Sequence, residues 1–413
     1  MPWNIRSVVE ERVRFVSLAA QPHGCISELA RAFGISRKTA YKWIGRYRKS
    51  GLGGCSDESR APKNSPQAFS PLVVKRLLAL KAKWPLWGAK KLVALYGNNY
   101  SRAPRPSISS AHAWLKQAGL VRPRGRRPRI PYSPVHRGKL TRARRPNHVW
   151  TADFKGDFKL LNGQTCWPLT VTDASTRFLL ACVALPSTHA EPVRKIFEQL
   201  FKIYGLPEVI RTDNGVPFAT DGIYGLTVVS GPWLRYGVIH ERTRKAKPQD
   251  NGRHERFHRT LKEATCIPPQ RDMQAQQRAF DRFRKEYNNV RPHEALGFEP
   301  PASKYSPSPR RKPSSAVLAY PSHFHACRAN NNGYLQIETA HFFIGRWASK
   351  EWLGLEEVRH RCFRLFYGQF PLCEIDLTSR KLTGYGFMAN RARRIDFAAR
   401  HYGTYKTDKN MTG

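Results

Sequence analysis

Acidic residues are scarce in this chain. Its 413 residues include 30 Asp and Glu against 71 Lys and Arg, which gives a formal net charge of +41. No Asp or Glu occurs between Glu58 and Asp153. So large an excess of positive charge favours a polyanionic partner, most simply nucleic acid. An anionic membrane surface is the competing interpretation, but the sequence shows no basic amphipathic anchor and no lipidation motif.

Long apolar runs and paired cysteines are also missing. The longest apolar run, "FLLACVALP" at 178–186, is far shorter than the roughly 20 residues of a membrane helix. The first residues, "MPWNIRSVVEERVRF", lack the apolar core of a signal peptide. The eight cysteines are scattered without a C-x-x-C pair, which argues against zinc fingers and a disulfide framework. These absences predict a reduced, cytoplasmic setting and no membrane partner.

Residues 1–55 are predicted to form a helix-turn-helix. Two apolar stripes at helical spacing flank the break "GIS" at 34–36, where Ser36 is suited to cap the second helix. The outward face of that second helix has the chemistry of a major-groove reader, although a solvated helical hairpin remains the alternative. The candidate DNA-binding residues on it are Arg37, Lys38, Thr39, Tyr41, Lys42 and Arg46.

Composition divides the rest of the chain and predicts a multidomain α/β protein. The pattern of strands and helices after 147 indicates an RNase-H-like mixed sheet, with helical DNA-binding modules before it and a small antiparallel β-barrel after it. The predicted parts are a second helix-turn-helix or winged-helix module (66–121), a basic Pro-rich linker (122–146), the catalytic core (147–305), the β-barrel (316–384) and a basic tail (385–413).

Three acids in the core stand out by position. Asp153 lies in the first predicted strand, Asp213 ends the fourth in "RTDNGVPFA", and Glu255 lies on the helix after the fifth. In an RNase-H-like sheet the first and fourth strands are neighbours, so these carboxylates are able to meet at one edge. Phosphodiester cleavage uses two divalent cations about 3.5–4 Å apart. Without such cations, three acids beside DNA would repel it.

Each of these acids also has an ordinary structural interpretation. Asp213 alone is a plausible turn residue and Glu255 alone a solvated helical residue, while Asp250 is a candidate helix cap. The nearby Asp157 and Asp173 compete with Asp153, and Asp173 is expected to be structural because it starts a turn. Two further residues, His254 and His258, are either metal ligands or, as we favour, side chains facing phosphate or solvent. Cys166 and Trp167 are expected in the core.

The segments "WTADFKGDF", "RTDNGVPFA" and "KPQDNGRHERFHRTLK" resemble the D-D-E signature of the integrase-core transposases of bacterial insertion sequences, relatives of retroviral integrases. The resemblance covers roughly 140 to 305. It implies that Asp153, Asp213 and Glu255 are the catalytic residues and metal ligands, and that Asn214 and Gly215 shape the turn beside them. Further DNA contacts on the last motif are Lys262, by the resemblance, and Arg256 and Arg259.

The resemblance implies a DNA transposase with two Mg²⁺ (or Mn²⁺) ions, which cleaves the 3′ ends of an element and joins them to target DNA. Its partners would be double-stranded DNA, both terminal inverted repeats and target, and further copies of itself at the bacterial nucleoid. Two departures are a longer segment between Asp213 and Glu255 than in retroviral integrases, and the absence of their zinc-binding His/Cys module. The alternatives are a catalytically silent DNA-binding regulator and a plain metal-dependent nuclease.

Overall fold

The computed structural model describes residues 7–22, 24–58, 69–121, 140–220, 223–243, 252–313, 318 and 320–384. The chain divides into two compact units, Met1–Ala68 and Phe69–Gly413. Most of the predicted basic linker, the predicted basic tail and the candidate cap Asp250 lie outside the described residues. Within the described residues, every helix is too short or too polar to cross a membrane.

The first unit is a three-helix bundle of α1 (Val8–Ala19), α2 (Ile26–Ala32) and α3 (Arg37–Ser50). Ser36 caps α3 as predicted, since its side chain accepts a hydrogen bond from the Thr39 amide at 3.2 Å. Both predicted apolar stripes face the common core. The sequence did not single out α1, which adds Phe15 and Val16 to that core.

The second unit begins with the helices α4 (Pro71–Lys83), α5 (Ala89–Asn99) and α6 (Ile108–Gln117), which lie within the stretch 66–121. Ser70 caps α4, and the proline at its first position needs no amide partner there. These helices share a core, and Val290 of the later chain packs against it. The Arg291 guanidinium lies 5.7 Å from the centre of the Trp87 ring, which adds a cation–π contact between the helices and the later domain.

A mixed sheet follows, as predicted. Its strands are β1 (Val149–Phe154), β2 (Phe158–Lys159), β3 (Thr165–Asp173), β4 (Leu179–Leu185), β5 (Val209–Thr212) and β6 (Ile239–Arg242). β3 is antiparallel to β1, β2 and β4, whereas β5 is parallel to β1 and β6. The predicted first strand is in fact two, β1 and β2, because the chain turns at Gly156, whose φ of 89° suits glycine.

Helices cover both faces of this sheet. They are α7 (Ala190–Tyr204), α8 (Gly231–Arg235), α9 (Gly252–Leu261) and α10 (Met273–Asn289). On one face α7 and α8 pack over Trp150 and Val171, and on the other α9 and α10 pack over Leu179. Phe257 and Leu261 of α9 are buried in the core that also contains Leu179. The other residues of this helix are therefore held at a fixed place beside the sheet.

The C-terminal strands are antiparallel, but the predicted closed barrel is not confirmed. The strands are β7 (His325–Arg328), β8 (Tyr334–Ile337), β9 (Ala340–Phe343), β10 (Trp352–Arg359), β11 (Cys362–Tyr367), β12 (Phe370–Asp376) and β13 (Lys381–Gly384). Over the described residues, β7 and β13 are the two edges of an open five-stranded sheet, and β8 and β9 form a separate hairpin. The apolar face of this open sheet packs against Leu335 and Phe342 of the hairpin and against Tyr224 and Leu226, which follow β5. In a closed barrel, the strands of the barrel itself would have buried that face.

Candidate active site

Strand register brings two of the predicted carboxylates to one edge of the sheet. β1 and β5 run parallel with Thr151 opposite Arg211. Continuing that offset of 60 residues places Asp213, the first residue after β5, beside Asp153 near the end of β1. Neighbouring strands lie about 4.7–4.9 Å apart, so the two side chains arise from adjacent positions.

The turn after β5 partly buries Asp213. Burial raises the pKa of the Asp213 carboxyl, and a hydrogen bond from the Gly215 amide opposes the rise. The Asn214 side chain donates a hydrogen bond to the carbonyl oxygen of Thr243 at 2.6 Å, which ties the turn to the chain after β6. That Asn214 and Gly215 shape the turn beside a metal site stays a prediction. A cation beside the carboxylate would favour its ionised form.

Gly215→Ala is expected to displace this carboxylate. A methyl group at Gly215 would lie 2.9 Å from Oδ2 of Asp213, closer than van der Waals contact. Because small displacements of a reacting group cost up to about 100-fold, the DNA cleavage that the resemblance implies should slow by about 10- to 100-fold. Single-turnover cleavage with a urea melt measures both rate and stability. Gly53→Ala is the control, since a methyl there meets nothing within 4 Å; equal rates in the two variants would contradict the prediction.

Glu255 lies in the first turn of α9 and is exposed. Three basic residues after it are exposed as well, at the places where the sequence predicts DNA contacts: Arg256, Arg259 and Lys262. Lys262 is not a simple continuation of α9, because a π-helical turn begins at this residue and runs to Cys266. The helix therefore offers one carboxylate and several cations to a solution partner.

Two histidines of α9 join Asp153 in a compact group. The candidate ligand atoms of Asp153, His254 and His258 all lie within 4.8 Å of one another. Thr170, the cross-strand partner of Asp153, has its hydroxyl 3.0 Å from Nε2 of His254 and 2.9 Å from Nε2 of His258. These contacts join α9 to β3. Asp213 and Glu255 are not members of this group.

The expectation that these histidines face phosphate or solvent is wrong. His254 is only 4% exposed and His258 is half-buried against Thr170. Burial lowers the pKa of His254 to about 4. Burial, with the nearby His254 and Lys155, lowers the pKa of His258 to about 2. Both imidazoles are therefore neutral at neutral pH and keep a lone pair on one ring nitrogen.

A signal for the pair was present in the sequence as "HERFH". Residues four apart on a helix share a face, and two histidines at that spacing are a familiar metal-binding pattern. Thr170 carried no comparable signal, because a threonine inside a strand is ordinary.

The competing acids have the structural places expected of them. Asp173 accepts hydrogen bonds from the amides of Asn147, Ser175 and Thr176, so it organises the turn after β3. Asp157 is exposed just before β2. Cys166 is buried in the core under α9 and α10, and Trp167 packs against the core on the opposite face of the sheet, so both lie in the protein interior as expected.

The predicted DNA-reading face of α3 is mostly exposed. Arg37, Lys38, Tyr41 and Lys42 are open to solvent, whereas Thr39 is half-buried. Arg46 differs, because its guanidinium binds Glu58 at 3.0 Å and lies over the Trp43 ring. Among the predicted DNA-reading residues, the exposed cations Arg37, Lys38 and Lys42 therefore lie in the first half of the helix.

Comparison with known protein families agrees with this architecture. Two integrase core domain models match residues 143–248 and 236–301. The chain carries an integrase core domain. Before this core, a helix-turn-helix domain model matches residues 11–63 and a homeodomain-like domain model matches residues 39–115. The helix-turn-helix and the RNase-H-like mixed-sheet core predicted from the sequence are thus confirmed.

Relatives of this integrase-core chain come from bacterial insertion elements. The insertion element IS407 uncharacterized 31.7 kDa protein of Burkholderia multivorans is 26% identical over 245 residues, which cover 57% of this chain and 82% of that protein. The insertion element IS476 uncharacterized 39.2 kDa protein of Xanthomonas euvesicatoria is 24% identical over 277 residues, covering 65% and 74%. These matches confirm the resemblance to the integrase-core transposases of insertion sequences.

Among solved structures, the HTLV-2 integrase catalytic core domain in complex with magnesium is 16% identical, with a TM-score of 0.29, and the match covers 40% of this chain and 99% of that one. A chain of the simian T-cell lymphotropic virus intasome in complex with PP2A regulatory subunit B56 gamma is also 16% identical, with a TM-score of 0.35, and the match covers 72% and 98%.

Proposed function

We propose that the chain is a DNA transposase that binds the ends of its element, cleaves the 3′ ends and joins them to target DNA. The observation that supports this best is the register of β1 and β5, because the pairing of Thr151 with Arg211, continued by two residues, would bring Asp153 and Asp213 side by side at one edge of the sheet. Glu255 on α9 would complete a three-carboxylate set. The active form would be a multimer, because two element ends must be joined in one complex.

The donor set at this edge suits Mg²⁺. Magnesium takes oxygen ligands and is held in proteins by one or two carboxylates together with phosphate oxygens and water. Asp153 and Asp213 would hold the cations, and Glu255, exposed on α9, would share one of them. When bound, the two cations would activate the attacking oxygen and stabilise the leaving one.

The chain's own residues would position the DNA. The exposed Arg256 and Arg259 lie on α9 with Glu255, and the exposed Lys262 begins the π-helical turn that follows, so phosphates bound by these cations would lie near the carboxylates. The acid-free stretch between Glu58 and Asp153 includes the α4–α6 module, which would add further backbone contacts. Neutralising the phosphate charge is what allows a carboxylate cluster to approach DNA.

The deciding experiment follows a labelled duplex that carries the element's own ends. With Mg²⁺ we expect nicks at the 3′ ends, followed by joined products when target DNA is added. EDTA should abolish both steps without releasing the protein from DNA. Specific binding without cleavage under Mg²⁺ or Mn²⁺ would replace the enzyme with a DNA-binding regulator. Cleavage without any joining would indicate a nuclease.

Exposed cations on α3 are expected to contribute to binding of the element ends. Replacing both Arg37 and Lys38 by Ala should weaken binding and reduce the slope of log affinity against log salt by about 2, because each phosphate contact contributes about 1. Fluorescence anisotropy across a salt series measures this slope. Lys195→Ala on α7 is the matched control, since its side chain is 71% exposed and belongs to the other compact unit of the chain. An unchanged slope in the double variant would exclude α3 as a phosphate-binding element.

A further inference from the structure

The imidazoles of His254 and His258 have no part in the proposed carboxylate mechanism, although they lie against one of its residues. We propose that Asp153, His254 and His258 form a binding site for a borderline transition-metal ion, for which Zn²⁺ is the probe. Occupation of this site would withdraw Asp153 from the Mg²⁺ pair. The metal binding stands on the geometry alone, whereas the inhibition rests on the proposed function.

The three ligand atoms are already close to coordination geometry. They lie within 4.8 Å of one another. In a tetrahedral zinc site, with bonds of about 2.0–2.1 Å, ligand atoms are roughly 3.3 Å apart. Each distance between ligand atoms therefore has to shorten by at most about 1.5 Å, which small side-chain rotations can achieve. His254 and His258 are four residues apart on α9, so both rings approach from one face of the helix.

Thr170 holds the two rings in place. Its hydroxyl lies 3.0 Å from Nε2 of His254 and 2.9 Å from Nε2 of His258. An ion bound through either Nε2 would replace that nitrogen's contact with Thr170, whereas an ion bound through Nδ1 would leave the contact in place. His254 is buried and has little freedom to leave this arrangement. Because the rings are fixed before any ion arrives, binding costs less ordering than it would for two exposed histidines.

The chemistry of the group selects the ion. Two imidazoles with one carboxylate are a donor set typical of zinc, whereas magnesium prefers oxygen ligands throughout. Three protein ligands also leave a fourth position for water or a phosphate oxygen. Asp153 is the member shared with the proposed Mg²⁺ site. An ion held by the two histidines would therefore compete with Mg²⁺ for this carboxylate.

Binding is tested on the full chain after removal of metals. Zn²⁺ is titrated against a chromogenic chelator, and Co²⁺ is used separately because its visible bands report four-coordinate N and O ligation. We expect one tight equivalent in the wild type, weakened at least about tenfold in His258→Gln and in Asp153→Asn. Cys25→Ser is the control for adventitious thiol binding, since Cys25 is exposed.

Circular dichroism and thermal melting establish that each variant folds. If His258→Gln does not fold, the zinc affinity of Asp153→Asn decides the result, because the Asp153 side chain is half-exposed. The same zinc affinity in the wild type and in every folded ligand variant would overturn the proposal, as would a loss confined to Cys25→Ser.

Inhibition is tested in the cleavage assay at fixed Mg²⁺. Zn²⁺ in a one-equivalent excess over the protein concentration should suppress cleavage by the wild type. Added Mg²⁺ should then restore the cleavage. Zinc that binds through the three residues without affecting cleavage would overturn the competition for Asp153. A wild type that does not cleave with Mg²⁺ alone would instead contradict the proposed function and leave the binding result standing.

Discussion

Asp213→Asn is expected to slow strand cleavage by about 1000-fold or more, which corresponds to roughly 4 kcal/mol of transition-state stabilisation. Asparagine keeps the size of the side chain and an oxygen able to accept the Gly215 amide hydrogen bond, but it removes the charge that a cation requires. The turn after β5 should therefore keep its shape. Single-turnover cleavage of the labelled duplex measures the rate, and anisotropy measures DNA affinity, which should be retained.

Asp157→Asn is the matched control for this prediction. Asp157 is an exposed acid four residues after Asp153, just before β2, so its loss changes the net charge by the same amount near the same edge. We expect this variant to cleave at the wild-type rate. A similar slowing in both variants would point to a general electrostatic effect on DNA, and an undiminished rate in Asp213→Asn would remove Asp213 from the mechanism.

Glu241→Ala is expected to lower the free energy of unfolding by about 3–5 kcal/mol, because it leaves the Arg211 charge unpaired in a buried site. The side chains of Glu241 and Arg211 are 5% and 14% exposed. Nε of Arg211 donates to Oε2 of Glu241 at 2.7 Å. Oε1 of Glu241 accepts hydrogen bonds from the amide and hydroxyl of Thr141, at 2.7 and 2.9 Å.

Urea unfolding of the full chain at neutral pH measures this loss as a lower transition midpoint. The matched control is Glu191→Ala on α7, which removes a carboxylate that binds Arg194 at 3.0 Å on the surface, where the two side chains are 58% and 45% exposed. Exposed pairs of this kind contribute about 0–1 kcal/mol. Equal losses in the two variants would mean that the buried network contributes no more than a surface ion pair.

Sequence patterns predicted the parts of the fold that depend on local periodicity. The helical stripes around Ser36 and the pattern of strands and helices after 147 were visible as residue spacing. The adjacency of Asp153 and Asp213 followed from a single topological assumption, that the first and fourth predicted strands are neighbours. The structure places β1 beside β5, as that assumption requires.

Features that depend on tertiary partners were not predictable in this way. Closure of the C-terminal sheet depends on whether the edge strands β7 and β13 meet, and alternation along a strand does not determine which strands pair. Glu241 in "VIHERTR" looks like an ordinary charged strand residue, because its burial depends on Arg211 and on Thr141, 100 residues earlier. For the histidines of α9, the sequence left metal ligation and a contact with phosphate or solvent as alternatives, and the burial of His254 against Thr170 becomes visible only in the folded structure.

The pairing of β1 with β5 has a consequence for how the chain tolerates insertions and deletions. Loops and helices between the two strands can lengthen or shorten without moving the carboxylates, since only the pairing offset at Thr151 and Arg211 sets their relation. A one-residue deletion inside β5 is different, because side chains alternate between the faces of a sheet and Asp213 would turn to the opposite face. Divergent homologues can therefore differ widely in the number of residues between these two aspartates. Each aspartate should nevertheless stay two residues after its paired strand residue, as Asp153 follows Thr151 and Asp213 follows Arg211.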